Sequence, residues 1–437
     1  MNIVSHDGPG REGAITTALE RMHKSGGRNQ TWWYLAQDQI KCLSKSAVRH
    51  IASETIPAPV GDSHYRFCYE FIWPVMHGLA DQVTYVEEDF FLFKRHNAIF
   101  AAQIERQQSH APYFVQNYQL ALLPKFLKND GRESAMFWQI PWPSSICSEH
   151  LPAVIEIAQS LLKAKALAFT TQEYADNFNN FVDCHLPFIN SSRAFGHVAE
   201  VIVAPLGIDL DYWTTRELTA ANDVAGEIST PYVLSIEKAD LSAGTMQRLK
   251  AIDLFFARHP ELQEKITFVQ VISRSNPGIK AFDKYWKDCQ EEIASLTEKY
   301  ATDSWQPLVS ITQGLNSDQM AQLYRQAAVL LVTSSAGHNL TAKEYLACQT
   351  KENPGIVALS TSNGVAEEIG RYAITFNPDD IDAIADATMR CIMMPTLMRL
   401  RRYLRLKQLL QQNTLEMWCG TFSKLMCSDQ AEIAEVG

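Results

Sequence analysis

The chain has 437 residues, 46% of them hydrophobic, a length and composition that predict two or three domains with substantial buried cores. A formal charge of −10, with no block of basic residues to oppose it, argues against a nucleic-acid surface. No apolar run reaches the ~18 residues of a membrane-spanning helix, and the start "MNIVSHDGPGREG" has neither the basic opening nor the apolar run of a secretory signal, so the chain reads as cytoplasmic.

In chain order, "MNIVSHDG" predicts a first strand running into a glycine-bearing loop, "GPGREGA", and then a helix, "ITTALERMHKS". The aromatic stretch "YRFCYEFIWP" reads as core. Strand and strand-plus-helix signals follow in "SAMFWQIPW", "KALAFTTQEYADNFNNF" and "EVIVAPLGID". The polar segment "TTRELTAANDVAGEIST", residues 214–230, is the candidate linker. Beyond it "PYVLSIEK", "KITFVQVI", "AAVLLVTSS" and "GIVALS" read as strands, each followed by a helical pattern. Near the end, "NTLEMWCGTFSKLM" carries apolar residues at helical spacing. Such alternation predicts an α/β class with parallel sheets covered on both faces: two doubly wound, Rossmann-like domains facing a cleft outside the carboxyl ends of their strands.

Three loops at predicted strand ends, "GPGREG", "SIEKADLSAG" and "SSAGHN", have the strand, turn, helix order that aims free backbone N–H groups at an anion. None is a P-loop, because Gly-Lys-Ser/Thr is absent, and each alone reads as a turn. The third opens the helix "NLTAKEYLACQ", which carries a lone carboxylate, Glu344. Asp209 and Asp211 form a D-x-D pair that reads as a turn, since no further carboxylates cluster nearby. The acid pairs at 87–88, 291–292 and 367–368 read as solvated faces. Nine cysteines without C-x-x-C spacing read as reduced thiols, and Cys184–His185 lacks the second ligand pair that zinc needs. No nucleophile elbow is present. Motifs alone therefore give a two-domain α/β chain compatible with nucleotide binding.

Read together and in order, these segments resemble the trehalose-6-phosphate synthase family, retaining glycosyltransferases of the GT-B type. "FIWPVMHG" is similar to the family's Leu-Trp-Pro-x-x-His block, "YFVQNYQLALLPKFL" to Val-His-Asp-Tyr-His-Leu, and "MFWQIPWPSS" to Phe-Leu-His-Ile-Pro-Phe-Pro. "VIVAPLGID", "SIEKADLSAG", "SSAGHNLTAKEYLACQ", "NPGIVALSTSNGVAEEI" and "ITFNPDD" continue the likeness. The resemblance implies an N-terminal acceptor-side domain over 1–213, a nucleotide-sugar domain over 214–410 and a returning helix over about 411–437.

It also implies roles. Donor binding falls to Gly13, Lys238, Asn339, Leu340 and Glu344, with backbone N–H groups at Asn339 and Leu340 meeting a diphosphate and Glu344 holding ribose hydroxyls. Acceptor binding falls to Asp7, Tyr65, Trp73, Asn117 and Arg274, and catalysis to Lys238, Gln139 and His338. Several of these depart from the family pattern. Ala243 stands where a second cation is implied, Ala336 where an aspartate is, and Asp7 where an arginine grips glucose-6-phosphate. An aspartate repels a phosphate, which points to a different acceptor. The reading is a redirected retaining transferase or pseudo-glycosyltransferase using a nucleotide-sugar donor and a small polar acceptor. No cofactor, metal, nucleic acid or membrane is implied, and a homo-oligomer is allowed. The alternative is a catalytically silent relative acting as a sensor or scaffold; a GT-B epimerase or phosphorylase ranks last.

Overall fold

Strands buried on both faces must be apolar at consecutive positions, whereas the faces of the helices that cover them need only one apolar stripe. The chain satisfies both demands twice. The computed structural model describes residues 1–9, 14–25, 30–35, 48–51, 55–106, 111–188, 198–216, 224, 228–337 and 340–434. It divides into one unit of Met1–Leu206 with Leu415–Gly437, and a second of Gly207–Thr414. The division falls earlier than the expected 213/214, because Ile208 and Trp213 pack in the core of the second unit. The returning segment starts at Leu415 rather than near 411.

The first unit is built on a seven-stranded parallel sheet: β1 (Asn2–Val4), β2 (Trp32–Leu35), β3 (Val48–Ile51), β4 (Tyr113–Gln116), β5 (Ser134–Trp138), β6 (Ala166–Phe169) and β7 (Glu200–Val203), in the order β3-β2-β1-β4-β5-β6-β7. Central strands β4, β5 and β6 are buried throughout, while edge strand β7 is not. The aromatic stretch at 65–74 is core: Phe67, Phe71 and Trp73 are buried along a helical run whose middle, Phe67–Ile72, is a π-helix.

The C-terminal helix, Leu415–Ala434, covers this sheet. Phe422 lies 4.2 Å from Phe114 of β4 and Trp418 lies 5.2 Å from Phe137 of β5, centroid to centroid. The Trp418 indole N–H donates to the Ala204 carbonyl at 3.2 Å, so a buried donor is satisfied where it packs.

The second unit carries six parallel strands, β8 (Tyr232–Ala239), β9 (Thr267–Arg274), β10 (Leu308–Ile311), β11 (Val329–Val332), β12 (Ile356–Ser360) and β13 (Ile374–Phe376), ordered β10-β9-β8-β11-β12-β13. Two cores flank it. Leu234, Leu330, Val332, Val357 and Leu359 enter one. Val233, Val329, Leu331, Ile356 and Ala358 enter the other, as period-two alternation requires. The predicted strands in both units are present; short strands β2, β3, β4, β10 and β13 carry no separate strand signal in chain order. Most of the candidate linker at 214–230 lies outside the described residues.

Replacing Phe422, fully buried between Phe114 and Phe137, by alanine opens a cavity against the first sheet. The expected cost is about 3–5 kcal/mol, read as a lower denaturant midpoint in tryptophan fluorescence; an unchanged midpoint contradicts the packing described.

Candidate functional site

In an open parallel sheet, ligands bind outside the carboxyl ends of the strands, where neighbouring strands send their connections in opposite directions. The strand orders put that point between β8 and β11 in the second unit and between β1 and β4 in the first.

In the second unit, the loop after β8 must come very close to the end of β11. Gly244 has φ +68, and a Cβ on it would meet the Thr333 carbonyl oxygen at 2.1 Å, so only glycine fits the approach. Thr333 Oγ1 donates to the Ala243 carbonyl at 3.1 Å and accepts from Arg248 Nη1 at 2.9 Å. The same Nη1 reaches Glu237 Oε2 at 2.6 Å, both side chains being buried. Burial pushes the Glu237 carboxyl up, and the Arg248 guanidinium beside it pulls the other way.

The loops after β11 and β12 are locked to this frame. Ser335 N–H donates to the Ser242 carbonyl and Gly364 N–H to the Gly337 carbonyl, each at 2.7 Å. Asn363 Nδ2 donates to Ser334 Oγ at 2.7 Å. The helix that follows, Thr341–Cys348, is fixed by Lys343, 1% exposed, whose ammonium lies 2.5 Å from Glu368 Oε1. Glu368 therefore corrects the expectation of a solvated acid pair at 367–368; its other oxygen accepts from Asn413 Nδ2 at 2.7 Å.

Glu344 sits in the first turn of this helix and accepts a 2.8 Å bond from the Tyr324 hydroxyl. Desolvation pushes its carboxyl up to about 7, with the Tyr324 bond acting against that shift. The sequence reading missed Tyr324; it lies on the helix Ser317–Gln326, twenty residues upstream and set by an Asn316–Gln319 capping box. Lys238 is exposed near the carboxyl end of β8, and Leu340, 8% exposed, immediately precedes the helix. Gly13, His338 and Asn339 lie outside the described residues. Arg274 ends β9 and is bonded to Asp283 at 2.6 Å, so its guanidinium is already engaged. Asp209 is a helix cap accepting from Tyr212 N–H at 3.0 Å, the turn role expected of it.

In the first unit, Asn117 directly follows β4 with φ 63 and ψ 171, a region that side chains other than glycine rarely occupy. Its Oδ1 accepts from Gln139 N–H at 3.3 Å, and Gln139 Nε2 donates to Gln116 Oε1 at 3.1 Å. Two expected site residues, Asn117 and Gln139, thus meet at the carboxyl ends of β4 and β5. Asp7 follows β1, partly exposed, with His6 Nδ1 at 3.5 Å. Tyr65 packs on Tyr69 with centroids 4.8 Å apart. Trp73 is buried and stacked on His77 at 4.0 Å, which is core packing more than an open sugar platform. Beside Asp7 the structure gathers three histidines, His6, His64 and His96, that the sequence reading passed over.

The profile of glycosyltransferase family 20 matches residues 11–427. The chain belongs to that family. It is 27% identical over 410 residues to the probable alpha,alpha-trehalose-phosphate synthase [UDP-forming] 4 of Arabidopsis thaliana, covering 86% of this chain and 51% of that protein. It is 26% identical over 385 residues to the trehalose-6-phosphate synthase of Cronobacter sakazakii, covering 83% and 79%. The chain spans about half the length of the Arabidopsis relative and of a Dictyostelium discoideum one. A Burkholderia xenovorans alpha,alpha-trehalose-phosphate synthase (UDP-forming), solved with glucose-6-phosphate, superposes with a TM-score of 0.85 at 24% identity, covering 97% of this chain and 99% of that one. The fold is GT-B, and the family is one of trehalose-6-phosphate synthase-like glycosyltransferases.

Two outcomes follow from the second unit's geometry. Gly244→Ala forces a Cβ into the Thr333 carbonyl; the expected loss is about 2–4 kcal/mol, measured by denaturant unfolding. Glu344 has a folded pKa of about 7 against an ordinary 4.5, so its ionisation opposes folding; the cost is full above pH 7, shrinks as pH falls from 7 to 4.5 and is absent below 4.5. Glu344→Gln is therefore expected to raise stability at pH 8 by about 1–2 kcal/mol, less than the full shift because the residue reaches solvent, and the gain shrinks as pH falls. A melting temperature below that of the unsubstituted protein at pH 8 contradicts this.

Proposed function

We propose that the chain transfers a sugar or pseudo-sugar, with retention, from a nucleotide-diphosphate donor to a small polar acceptor other than glucose-6-phosphate. The observation that carries the donor half is Glu344: a carboxylate in the first turn of the helix at the β8/β11 switch point, oriented by Tyr324 and desolvated at some cost to stability. A carboxylate so held accepts two hydroxyl hydrogen bonds from a ribose, and a helix start favours the adjoining diphosphate. Lys238 supplies a cation for charge developing on the leaving phosphate. In retaining transfer of this kind the leaving phosphate takes the acceptor proton, so the protein's work is orientation and electrostatics.

The acceptor half rests on Asp7. It stands at the carboxyl end of β1, 43% exposed, where resemblance implies an arginine for glucose-6-phosphate. A carboxylate at that position disfavours a phosphate and favours a hydroxyl- or amine-bearing acceptor. Asn117 and Gln139, bonded to each other, offer uncharged donors and acceptors nearby in the same unit.

One observation favours the second reading, a silent nucleotide-sugar sensor or scaffold. Ala243, 5% exposed, stands where the resemblance implies a second diphosphate cation, and a methyl group stabilises no developing charge.

The test is calorimetric titration and thermal shift with UDP, GDP, ADP and dTDP and their glucose conjugates, followed by acceptor-dependent nucleotide release. One nucleotide is expected to bind, to raise the melting temperature, and to lose at least tenfold in affinity in Glu344→Ala. Because the ionised carboxylate is the form that accepts two hydroxyls, affinity is expected to fall as pH drops below about 7. Binding without release across hydroxyl and amine acceptors supports the silent reading; no binding at millimolar nucleotide rejects both.

A further inference from the structure

We propose that His6, His64 and His96 form a binding site for a zinc-class divalent cation, with three imidazole ligands and a fourth position for water. One ring nitrogen from each histidine lies within 4.8 Å of one from each of the others. The three come from separate elements of the first unit: His6 follows β1, His64 is on the helix Ala58–Arg66, and His96 is on the helix Glu87–Glu105. Their rings pack as a set, with centroids 3.6 Å apart for His64 and His96 and 5.2 Å for His6 and His64.

Packing alone leaves one fact unexplained. His96 is fully buried, and neither of its ring nitrogens has a hydrogen-bond partner. A buried polar group left unpaired costs about 1–3 kcal/mol, and interiors rarely tolerate it. A cation accepting the lone pair of that ring removes the larger part of the problem.

In the other two rings an acceptor beside one nitrogen leaves the other nitrogen with the lone pair. His64 Nε2 lies 2.9 Å from the Gln119 carbonyl, which only accepts; Nε2 therefore carries the proton and Nδ1 the lone pair. His6 Nδ1 faces the Asp7 carboxylate at 3.5 Å, which draws the proton to Nδ1 and leaves Nε2 as the lone-pair nitrogen. Ligating histidines are held in this way by a carbonyl or carboxylate on the far nitrogen.

The donor set selects the metal class. Three neutral imidazoles suit Zn²⁺ and its neighbours over Mg²⁺ or Ca²⁺, which take oxygen. Zinc–nitrogen bonds of about 2.0–2.1 Å put ligand nitrogens about 3.3 Å apart in a tetrahedron. The rings lie close to parallel, 13° apart for His6 and His64 and 20° for His64 and His96, so convergence on one ion requires them to turn out of the stack as the nitrogens close from 4.8 Å; His6, 17% exposed, is the ring with most room to do so. Three protein ligands with one open position is the arrangement of a reactive or exchangeable site rather than a closed structural one.

The experiment uses the full chain, dialysed against a chelator and titrated with Zn²⁺ by calorimetry, with Co²⁺ as a spectroscopic probe. One ion per chain and the visible bands of four-coordinate Co²⁺ are expected. His6→Ala removes the most exposed ligand and is expected to weaken Zn²⁺ binding at least tenfold, whereas His185→Ala, an exposed histidine on another helix, leaves it unchanged. If His6→Ala fails to fold by circular dichroism, His6→Asn is read in its place. Less than stoichiometric Zn²⁺, or equal affinity in the folded His6 variant, overturns the site.

Discussion

The close approach of Gly244 to the Thr333 carbonyl organises the second unit. It brings the loop after β8 against the end of β11 at the one place in the sheet where connections diverge. Around it sits a buried pair, Arg248 and Glu237, that shares Thr333 as a hydrogen-bond partner. A buried pair of this type adds little net stability, but breaking it leaves an uncompensated charge, so the arrangement of the two loops is strongly specified. The helix Thr341–Cys348 inherits its position from that frame, and Lys343 with Glu368 pins it from the other side.

This rigidity explains how an unfavourable carboxylate can persist. Glu344 is held in a partly desolvated position because the loops on either side of its helix are hydrogen-bonded to one another. Its raised pKa is a cost in stability borne by a carboxylate fixed on a rigid element, a pattern that is common at functional sites. The first unit shows the same trade at Asn117, whose backbone is held in a glycine-like region beside Gln139. Strain and desolvation thus lie at the carboxyl ends of both sheets, while the cores beneath them pack in ordinary alternation.

The amino-acid sequence alone determined the class of fold, because parallel sheets covered on both faces demand local patterns: buried apolar strands, turn residues and amphipathic helices in alternation. It also singled out Glu344, since a carboxylate one turn into a helix after a strand is a local arrangement. Only the tertiary structure decided the partners. Tyr324 lies twenty residues from Glu344, Arg248 eighty-five from Thr333, and Lys343 twenty-five from Glu368. His6, His64 and His96 are spread over ninety residues and meet because two helices pack beside the end of β1. Spacing along a chain reveals contacts within one turn or one strand, and these contacts are set by how separate elements fold together. The same limit applies to the exposed pair read at 367–368: nothing local marks Glu368 as the partner of a buried ammonium until the helix carrying Lys343 is laid against it.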